Sequence, residues 1–95
     1  MARTPARGTR LDILEWVRDP AAHFPPRRGA DPAAHGVPCG PVAAKLGVPR
    51  RAAAAHLTLL TRLGPLRTRR IRGRTHYRRD EMRIAEVARM FEKGW

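Results

Sequence analysis

The spacing of apolar residues predicts a first helix from Thr9 to Arg18. Five apolar side chains in this span share one broad face: Leu11, Ile13, Leu14, Trp16 and Val17. Thr9 is suited to the N-cap position, since its hydroxyl can accept a hydrogen bond from a free backbone N–H. Asp19-Pro20 ends the helix, because the residue before a proline is pushed away from helical angles.

A second helix is predicted to begin near Pro41. Proline suits a first helical turn, where its missing N–H would be unpaired in any case. Three apolar residues then supply a small buried face: Val42, Ala43 and Leu46. Gly47 is a favourable helix end, and Val48-Pro49 cannot continue the same helix.

The third helix is predicted from about Pro49 to Leu63. Four consecutive alanines, at positions 52–55, favour it strongly. Its core face carries three residues at helical spacing: Ala53, Leu57 and Leu60. Gly64-Pro65 ends it.

After this glycine the pattern changes to that of two short strands. Leu66 to Ile71 and Thr75 to Arg79 place Leu, Ile, Thr and Tyr among arginines, with Arg72-Gly73-Arg74 between them as a hairpin tip. We expect Tyr77 to pack in this hairpin and to leave its hydroxyl free for a phosphate.

The last predicted helix runs from a cap at Asp80 to about Lys93. Its apolar stripe consists of Ile84, Val87, Met90 and Phe91. A chain of this length buries only about 60 to 65% of the surface exposed in its unfolded state. It therefore has no other large apolar surface that could cover this stripe. We expect it to pack against the first helix and against a second subunit.

Two segments lack a helical or strand pattern. Residues 1–8 are basic and interrupted by Pro5 and Gly8, which indicates a flexible arm. Residues 19–41 are rich in proline and glycine and predict a loop longer than ordinary connections. Phe24 is expected to anchor one end of that loop, with Arg27 to Ala34 mobile. The remaining chain, residues 9–95, is interpreted as a single domain.

The charge is concentrated in one segment. The chain of 95 residues has a net charge of +12, and residues 50–79 contain ten arginines and no Asp or Glu. Such a field favours a polyanionic partner. A helix followed by a charged hairpin is typical of proteins that place the helix in the major groove of DNA and the hairpin, called a wing, on the phosphates. The predicted fold is therefore mainly α with a small β-hairpin, a winged helix-turn-helix that binds double-stranded DNA.

The residues of this segment resemble those of a known family, the ArsR-type (ArsR/SmtB) transcriptional regulators. The matching segments are Leu46-Gly47-Val48-Pro49, Ala55-His56-Leu57-Thr58-Leu59-Leu60, Gly64-Pro65-Leu66, Arg69-Arg70 and Tyr77. The opening Leu11-Asp12-Ile13-Leu14 and the last helix fit as well, so the resemblance covers most of the chain. It is weakest in the 19–41 loop. The resemblance implies a homodimer that binds a pseudo-palindromic operator.

The predicted DNA contacts fall on the third helix and the hairpin. They are Arg50, Arg51, Ala52, Ala54, His56, Arg69, Arg70, Arg72, Arg74 and Arg78. The helix departs from the family, whose members usually have Gln, Ser and Thr where this chain has arginine and alanine. Arg50 and Arg51 could pair with guanine edges, alanines could contact thymine methyls, and DNA shape would supply the rest. For His56 a packed core position is the alternative.

The predicted dimer interface uses the first and last helices. Its residues are Leu11, Leu14, Ile84, Val87 and Phe91. Two-fold symmetry would place two recognition helices in successive major grooves.

A metal site has weak support. His23, His35 and Cys39 could suit Zn²⁺ or Ni²⁺, but they have no tight spacing, and an ordinary polar loop is the favoured interpretation. The Cys-x-Cys of the family's metal sensors is replaced by Pro38-Cys39-Gly40-Pro41, and the last helix has no histidine. The expectation is no bound cofactor, with an effector protein at the 19–41 loop as a further possibility.

Other classes are disfavoured. An enzyme is not expected, because no carboxylate lies near Cys39 in the sequence to orient a base. The single cysteine precludes an intramolecular disulfide, and no apolar run suggests a membrane span or signal peptide, so a cytoplasmic protein is expected. The alternative function is a sequence-indifferent architectural DNA- or RNA-binding protein. RNA is disfavoured because Tyr77 is the one aromatic residue of the basic segment.

Overall fold

The computed structural model describes residues 8–26 and 31–92, except for the side chain of Phe91. In chain order the elements are α1 (Thr9–Arg18), α2 (Pro20–His23), α3 (Pro32–His35), β1 (Val37–Pro38), α4 (Cys39–Leu46), α5 (Arg50–Leu63), β2 (Leu66–Ile71), β3 (Arg74–Arg79) and α6 (Glu81–Glu92). This is a mainly helical protein with a small antiparallel sheet, as predicted, and its fold is a winged helix-turn-helix. The predicted arm at residues 1–8 lies, apart from Gly8, outside the described residues, as does Lys93.

Helix α1 has the predicted span, but its cap and its buried face differ from the prediction. Gly8 occupies the N-cap position, so Thr9 is the first helical residue. Ile13 and Val17 are the buried residues of the helix, whereas Leu11 is 67% exposed. The face of α1 that is buried in the core is therefore narrower than the broad apolar face predicted from the sequence.

The turn between α4 and α5 is built by local hydrogen bonds. Gly47 adopts a left-handed conformation at φ 72°. Its N–H donates to the carbonyl of Ala44, and the N–H of Val48 donates to the carbonyl of Ala43, which is the bonding pattern of a Schellman motif. Pro49 then precedes α5 with an extended backbone. The predicted stop and restart are confirmed, although α4 begins at Cys39, two residues before the expected Pro41.

The wing, which we define as strands β2 and β3 and their turn, closes with a two-residue turn. Ile71 pairs with Arg74, so the turn consists of Arg72 and Gly73, and Arg74 belongs to the strand rather than to the tip. Both turn residues have positive φ, at 51° and 79°. This combination is that of a type I′ turn, whose twist matches the twist of the paired strands.

The described parts of the 19–41 segment, residues 19–26 and 31–41, contain short helices and a strand, which corrects the prediction of a plain loop there. Helices α2 and α3 are single turns, and Val37 and Pro38 form a third strand opposite Tyr77 and His76. The sheet order is β1-β3-β2, with β3 in the centre. Phe24 is buried, as expected for an anchor. Of the span predicted to be mobile, residues 27–30 lie outside the described residues, and Pro32 is buried in α3.

One core joins the helices to the sheet. Its largest fully buried side chains are Ile13, Val37, Val42, Leu57 and Leu66. The predicted core face of α5 is confirmed, since Ala53, Leu57 and Leu60 are all buried. The core therefore fixes one face of α5 and turns the opposite face outward.

Helix α6 begins as predicted but stands largely apart. The carboxylate of Asp80 accepts a hydrogen bond from the N–H of Arg83 at 3.0 Å, which is an N-cap bond. Met82 is 82% exposed, Met90 is 50% exposed and Val87 is 37% exposed. Within the described residues α1 packs mainly on β3 and α2, so the expected packing of α6 against α1 is not among its main contacts. In the same residues, no helix has the length and apolar character needed to cross a membrane.

Candidate nucleic-acid interface

The face of α5 opposite the core presents one continuous line of exposed residues. These are Arg51, Ala55, Thr58 and Arg62, spaced by four, three and four positions, and we call them the outward stripe. Arg51, Thr58 and Arg62 form no side-chain hydrogen bond or ion pair within the described residues. They are therefore available to an external partner.

The outward stripe differs from the set predicted on this helix. Arg51 is common to both, while Ala52, Ala54 and His56 are half-buried at the flanks of the stripe. Thr58 and Arg62 were missed. Helical spacing from Arg51 was the pattern that could have identified them, because they lie opposite the predicted core positions. Thr61 is not equivalent to Thr58, since its hydroxyl already donates to the carbonyl of Leu57 at 2.8 Å.

Arg50 is exposed but is not part of the outward stripe. Its guanidinium lies against the first turn of α4, where a Cβ added to Gly40 would be 2.9 Å from its Nη2 atom. The thiol of Cys39 lies beside the carbonyl of Arg50, with the sulfur 3.4 Å from that oxygen in hydrogen-bond geometry. The start of α5 is thus tied to the start of α4, and the side chain of Arg50 spans the junction.

The arginines of the wing fall into two groups. Arg67, Arg69, Arg72 and Arg74 are exposed, and their side chains form no hydrogen bond or ion pair in the part of the chain that the structure describes. Three of these, Arg69, Arg72 and Arg74, were predicted as DNA contacts, and Arg67 was not.

Arg70 belongs to the second group, whose guanidinium groups bind the protein itself. It donates to the carbonyl of Gly73 at 2.9 Å and to the hydroxyl of Thr75 at 3.3 Å. These bonds span the two-residue turn and hold its backbone. Arg70, a predicted DNA contact, remains exposed, but its guanidinium is engaged by the turn of the wing.

Arg78 and Arg79 are also used internally. Arg78 is half-buried and donates to the carbonyl of Ala34 at 3.3 Å, which connects β3 to α3. Arg79 forms an ion pair with Glu81 at 2.7 Å and donates to the carbonyl of Leu14 at 3.1 Å. Arg78 was a predicted DNA contact, and its contact in the structure is with the protein.

Two polar residues of β3 are buried. His76 is 4% exposed, and its Nδ1 atom lies 3.2 Å from the carbonyl oxygen of Arg74. Tyr77 is 9% exposed and belongs to the hydrophobic core, as the packing prediction required. Burial raises the pKa of Tyr77, and the neighbouring Cys39 raises it further, so the phenol is protonated at neutral pH.

The weak metal candidates are not assembled into a site. His23 and His35 end separate short helices, and within the described residues no three His, Cys, Asp or Glu side chains come close enough together to hold an ion. Burial raises the pKa of the Cys39 thiol, an effect that Arg50 partly offsets, so the thiolate form that metals prefer is disfavoured.

Comparison with known proteins gives one informative match. Over 80 residues the chain is 38% identical to the uncharacterized HTH-type transcriptional regulator YbzH of Bacillus subtilis (strain 168). The match covers 84% of this chain and 80% of that protein, so it includes both helices of the turn and the wing. No protein-family model matches the chain, and no solved structure matches it.

Proposed function

The chain belongs to the HTH-type transcriptional regulators, and on that premise we propose that it is an ArsR-type regulator which binds a pseudo-palindromic operator as a homodimer. The observation that supports this most strongly is the outward stripe of α5. It is fixed by a buried opposite face, free of internal contacts, and followed directly by a wing with four unpaired arginines. The predicted base contact of Arg51 and the phosphate contacts of Arg69, Arg72 and Arg74 are retained in this proposal.

The dimer is proposed from the exposed apolar surface of α1 and α6. Leu11 and Val87, two of the five predicted interface residues, are 67% and 37% exposed. Leu14 and Ile84 are half-buried, and the side chain of Phe91 lies outside the described residues. Burying such a surface against its copy would remove apolar area from water at a gain of roughly 25 cal/mol per Å². Binding of the proposed dimer to successive major grooves requires its two α5 helices to lie about 34 Å apart, one turn of DNA.

An effector, if one acts, is proposed to be a protein that binds the 19–41 segment. Direct Zn²⁺ or Ni²⁺ sensing through His23, His35 and Cys39 lacks support, because the fold does not bring three such ligands together. Helix α2 packs on α1, and Arg78 of β3 donates to the carbonyl of Ala34 in α3, so a partner there would act next to the base of the wing.

The test is selection of duplexes from a random pool followed by binding titration. We expect an enriched pseudo-palindrome with half-sites one helical turn apart, two chains per duplex, and affinity at least about 10³ times that for random duplex. Equal competition by random duplex, or preference for single-stranded RNA, would instead identify a sequence-indifferent architectural or RNA-binding protein. A Leu11→Glu/Val87→Glu double variant should remain folded and bind as a monomer with much lower affinity.

A further inference from the structure

We propose that the cleft between the first turn of α4 and the wing binds one phosphate group of the DNA backbone. The inference rests on the proposed function and adds a composite site to it. The cleft has a volume of about 280 Å³, and Gly40, Arg50, Arg74 and Tyr77 are among its lining residues. Four features of different kind converge there.

The first two features are guanidinium groups. Arg50 reaches the cleft from the start of α5, and Arg74 reaches it from the start of β3. Neither side chain has an acidic partner or a hydrogen-bond acceptor in the described part of the chain. Two unpaired arginines from separate elements on one cleft favour a doubly contacted oxyanion, because guanidinium groups bind phosphate oxygens through charge-assisted hydrogen bonds.

The third feature is the N-terminus of α4. Pro38 in the cap position offers no side-chain acceptor, and the first turn contains no acidic residue. The leading N–H groups and the positive end of the helix dipole therefore face the cleft without a protein anion. Gly40 in this turn has no side chain to fill the space that Arg50 occupies.

The fourth feature is the phenol of Tyr77, an uncharged donor beside the two arginines. The residue is 9% exposed, yet its hydroxyl has no hydrogen-bond partner within the described residues. Tyr77 lines the cleft together with Cys39, Arg50 and Arg74. The hydroxyl is not among the buried atoms that lack a partner, so it is open to solvent, and a protonated phenol there can donate to a phosphate oxygen.

The position of the cleft favours DNA as the source of the phosphate. Its walls are the start of the proposed recognition helix on one side and the wing on the other. A duplex that contacts both elements has its backbone between them, so a backbone phosphate would be held at the cleft by contacts made on either side of it. This assigns Arg50 to the backbone rather than to a guanine edge, and leaves Arg51 as the base contact on this turn.

Two variants test the site without changing the net charge. Tyr77→Phe removes only the donor, and Gly40→Ala places a methyl carbon 2.9 Å from Nη2 of Arg50, so the guanidinium must move. Each should bind the selected duplex about tenfold more weakly, since a hydrogen bond to a charged group is lost or displaced. Sequence preference should not change, because phosphate contacts carry no base information. Thermal unfolding of both variants establishes that they are folded.

A control variant and a chemical probe separate the possible outcomes. Arg67 lies outside the cleft, so Arg67→Ala should weaken binding by an amount that adds to the effect of Tyr77→Phe. Arg74 and Tyr77 share the cleft, so the effects of Arg74→Ala and Tyr77→Phe on binding should not be additive. Cys39, the single cysteine, reports occupancy through its alkylation by iodoacetamide. Duplex should slow that reaction in the wild type and in Arg67→Ala, and should slow it less in Tyr77→Phe.

Three results would overturn the inference. If both cleft variants were folded and bound the duplex with wild-type affinity, the cleft would not be a phosphate site, and the proposed function would still stand. Protection of Cys39 by inorganic phosphate at matched ionic strength, without protection by duplex, would show a site for free phosphate instead of DNA. Absence of any preferred duplex for the wild type would refute the proposed function itself, and the cleft assignment with it.

Discussion

The outward stripe of α5 and the wing differ in how many arginines they carry and in how many of these are left free to bind DNA. The stripe has two arginines, one threonine and one alanine, and none of the three polar side chains is engaged within the described protein. The wing has seven arginines, but Arg70, Arg78 and Arg79 donate their hydrogen bonds to the protein itself. Charge density along a sequence therefore overstates the number of groups that remain for a ligand.

The difference also separates two kinds of contribution. Side chains of a helix in the major groove distinguish base pairs, while arginines on a hairpin neutralise phosphates and add affinity that is nearly independent of sequence. We expect specificity to depend on few residues of α5, and salt sensitivity to depend mainly on the wing. The predictions below follow that division.

The largest effect is expected from loss of the packing that fixes α5. Leu57→Ala removes a side chain that is 0% exposed and should lower the free energy of unfolding by about 2 to 5 kcal/mol. Leu63→Ala on the same helix is the matched control, because Leu63 is 59% exposed and its loss should change stability by no more than about 0.5 kcal/mol. Urea denaturation measures both. Equal losses would show that the two faces of α5 are not distinct.

The next effect concerns specificity. Arg51→Ala should reduce discrimination at one base pair of each half-site by about 1 to 3 kcal/mol, which is the contribution of a bidentate contact to guanine. The measurement is competition between the selected duplex and single-base variants of it.

Arg69→Ala on the wing is the counterpart. It should weaken binding to all duplexes alike and leave discrimination unchanged. If Arg51→Ala behaved in this same way, α5 would be a backbone-binding helix and the division between stripe and wing would fail.

A smaller effect separates the two groups of arginines within the wing. Arg72→Ala should flatten the slope of log K against log salt by about 0.9, since one phosphate contact is lost. Arg70→Ala should weaken binding and flatten the slope by only part of that amount, because its guanidinium orders the turn that positions Arg72 rather than contacting phosphate.

The two substitutions should also be coupled. In the Arg70→Ala background, Arg72 is no longer held in place, so Arg72→Ala should flatten the slope less than it does alone. A general loss of stability would not produce that coupling. A full reduction of slope by Arg70→Ala alone would show instead that Arg70 contacts phosphate directly.

The smallest effect is a dependence of stability on alkaline pH. The pKa values of Cys39 and Tyr77 are both raised by burial in the folded state. The folded protein thus holds these protons more tightly than the unfolded chain, and this stability is present below the ordinary pKa values and lost as pH rises through the folded ones. Urea midpoints should fall from about pH 9 upward, the ordinary value for a thiol. Cys39→Ala should reduce the first part of the decline.

Much of the fold follows from local chemistry. The turn at Gly47, the stop at Gly64 and the cap at Asp80 all involve groups within a few residues of one another, so the sequence predicts them well. Strand β1 was not predictable in this way. It consists of Val37 and Pro38 among prolines and glycines, and it exists because β3 offers an edge from about forty residues further along the chain.

The interface shows the same distinction between local and distant causes. The spacing of Ala53, Leu57 and Leu60 predicted the buried face of α5, and the opposite positions could have identified Thr58 and Arg62. The internal role of Arg78 could not be predicted, because its acceptor is a backbone carbonyl 44 positions away. A carbonyl acceptor exists at every residue, so no residue type marks it in the sequence.

The order of the sheet has a consequence for the behaviour of the protein in concentrated solution. Strand β3 is flanked on both sides, which leaves β1 and β2 as the edges. Edge β1 is two residues long and includes a proline without an N–H, so it cannot template another strand. Edge β2 has Arg67, Arg69 and Arg70, whose like charges repel a second copy of the strand. That repulsion is screened as salt rises, so in the absence of DNA, strand-to-strand aggregation should increase with ionic strength.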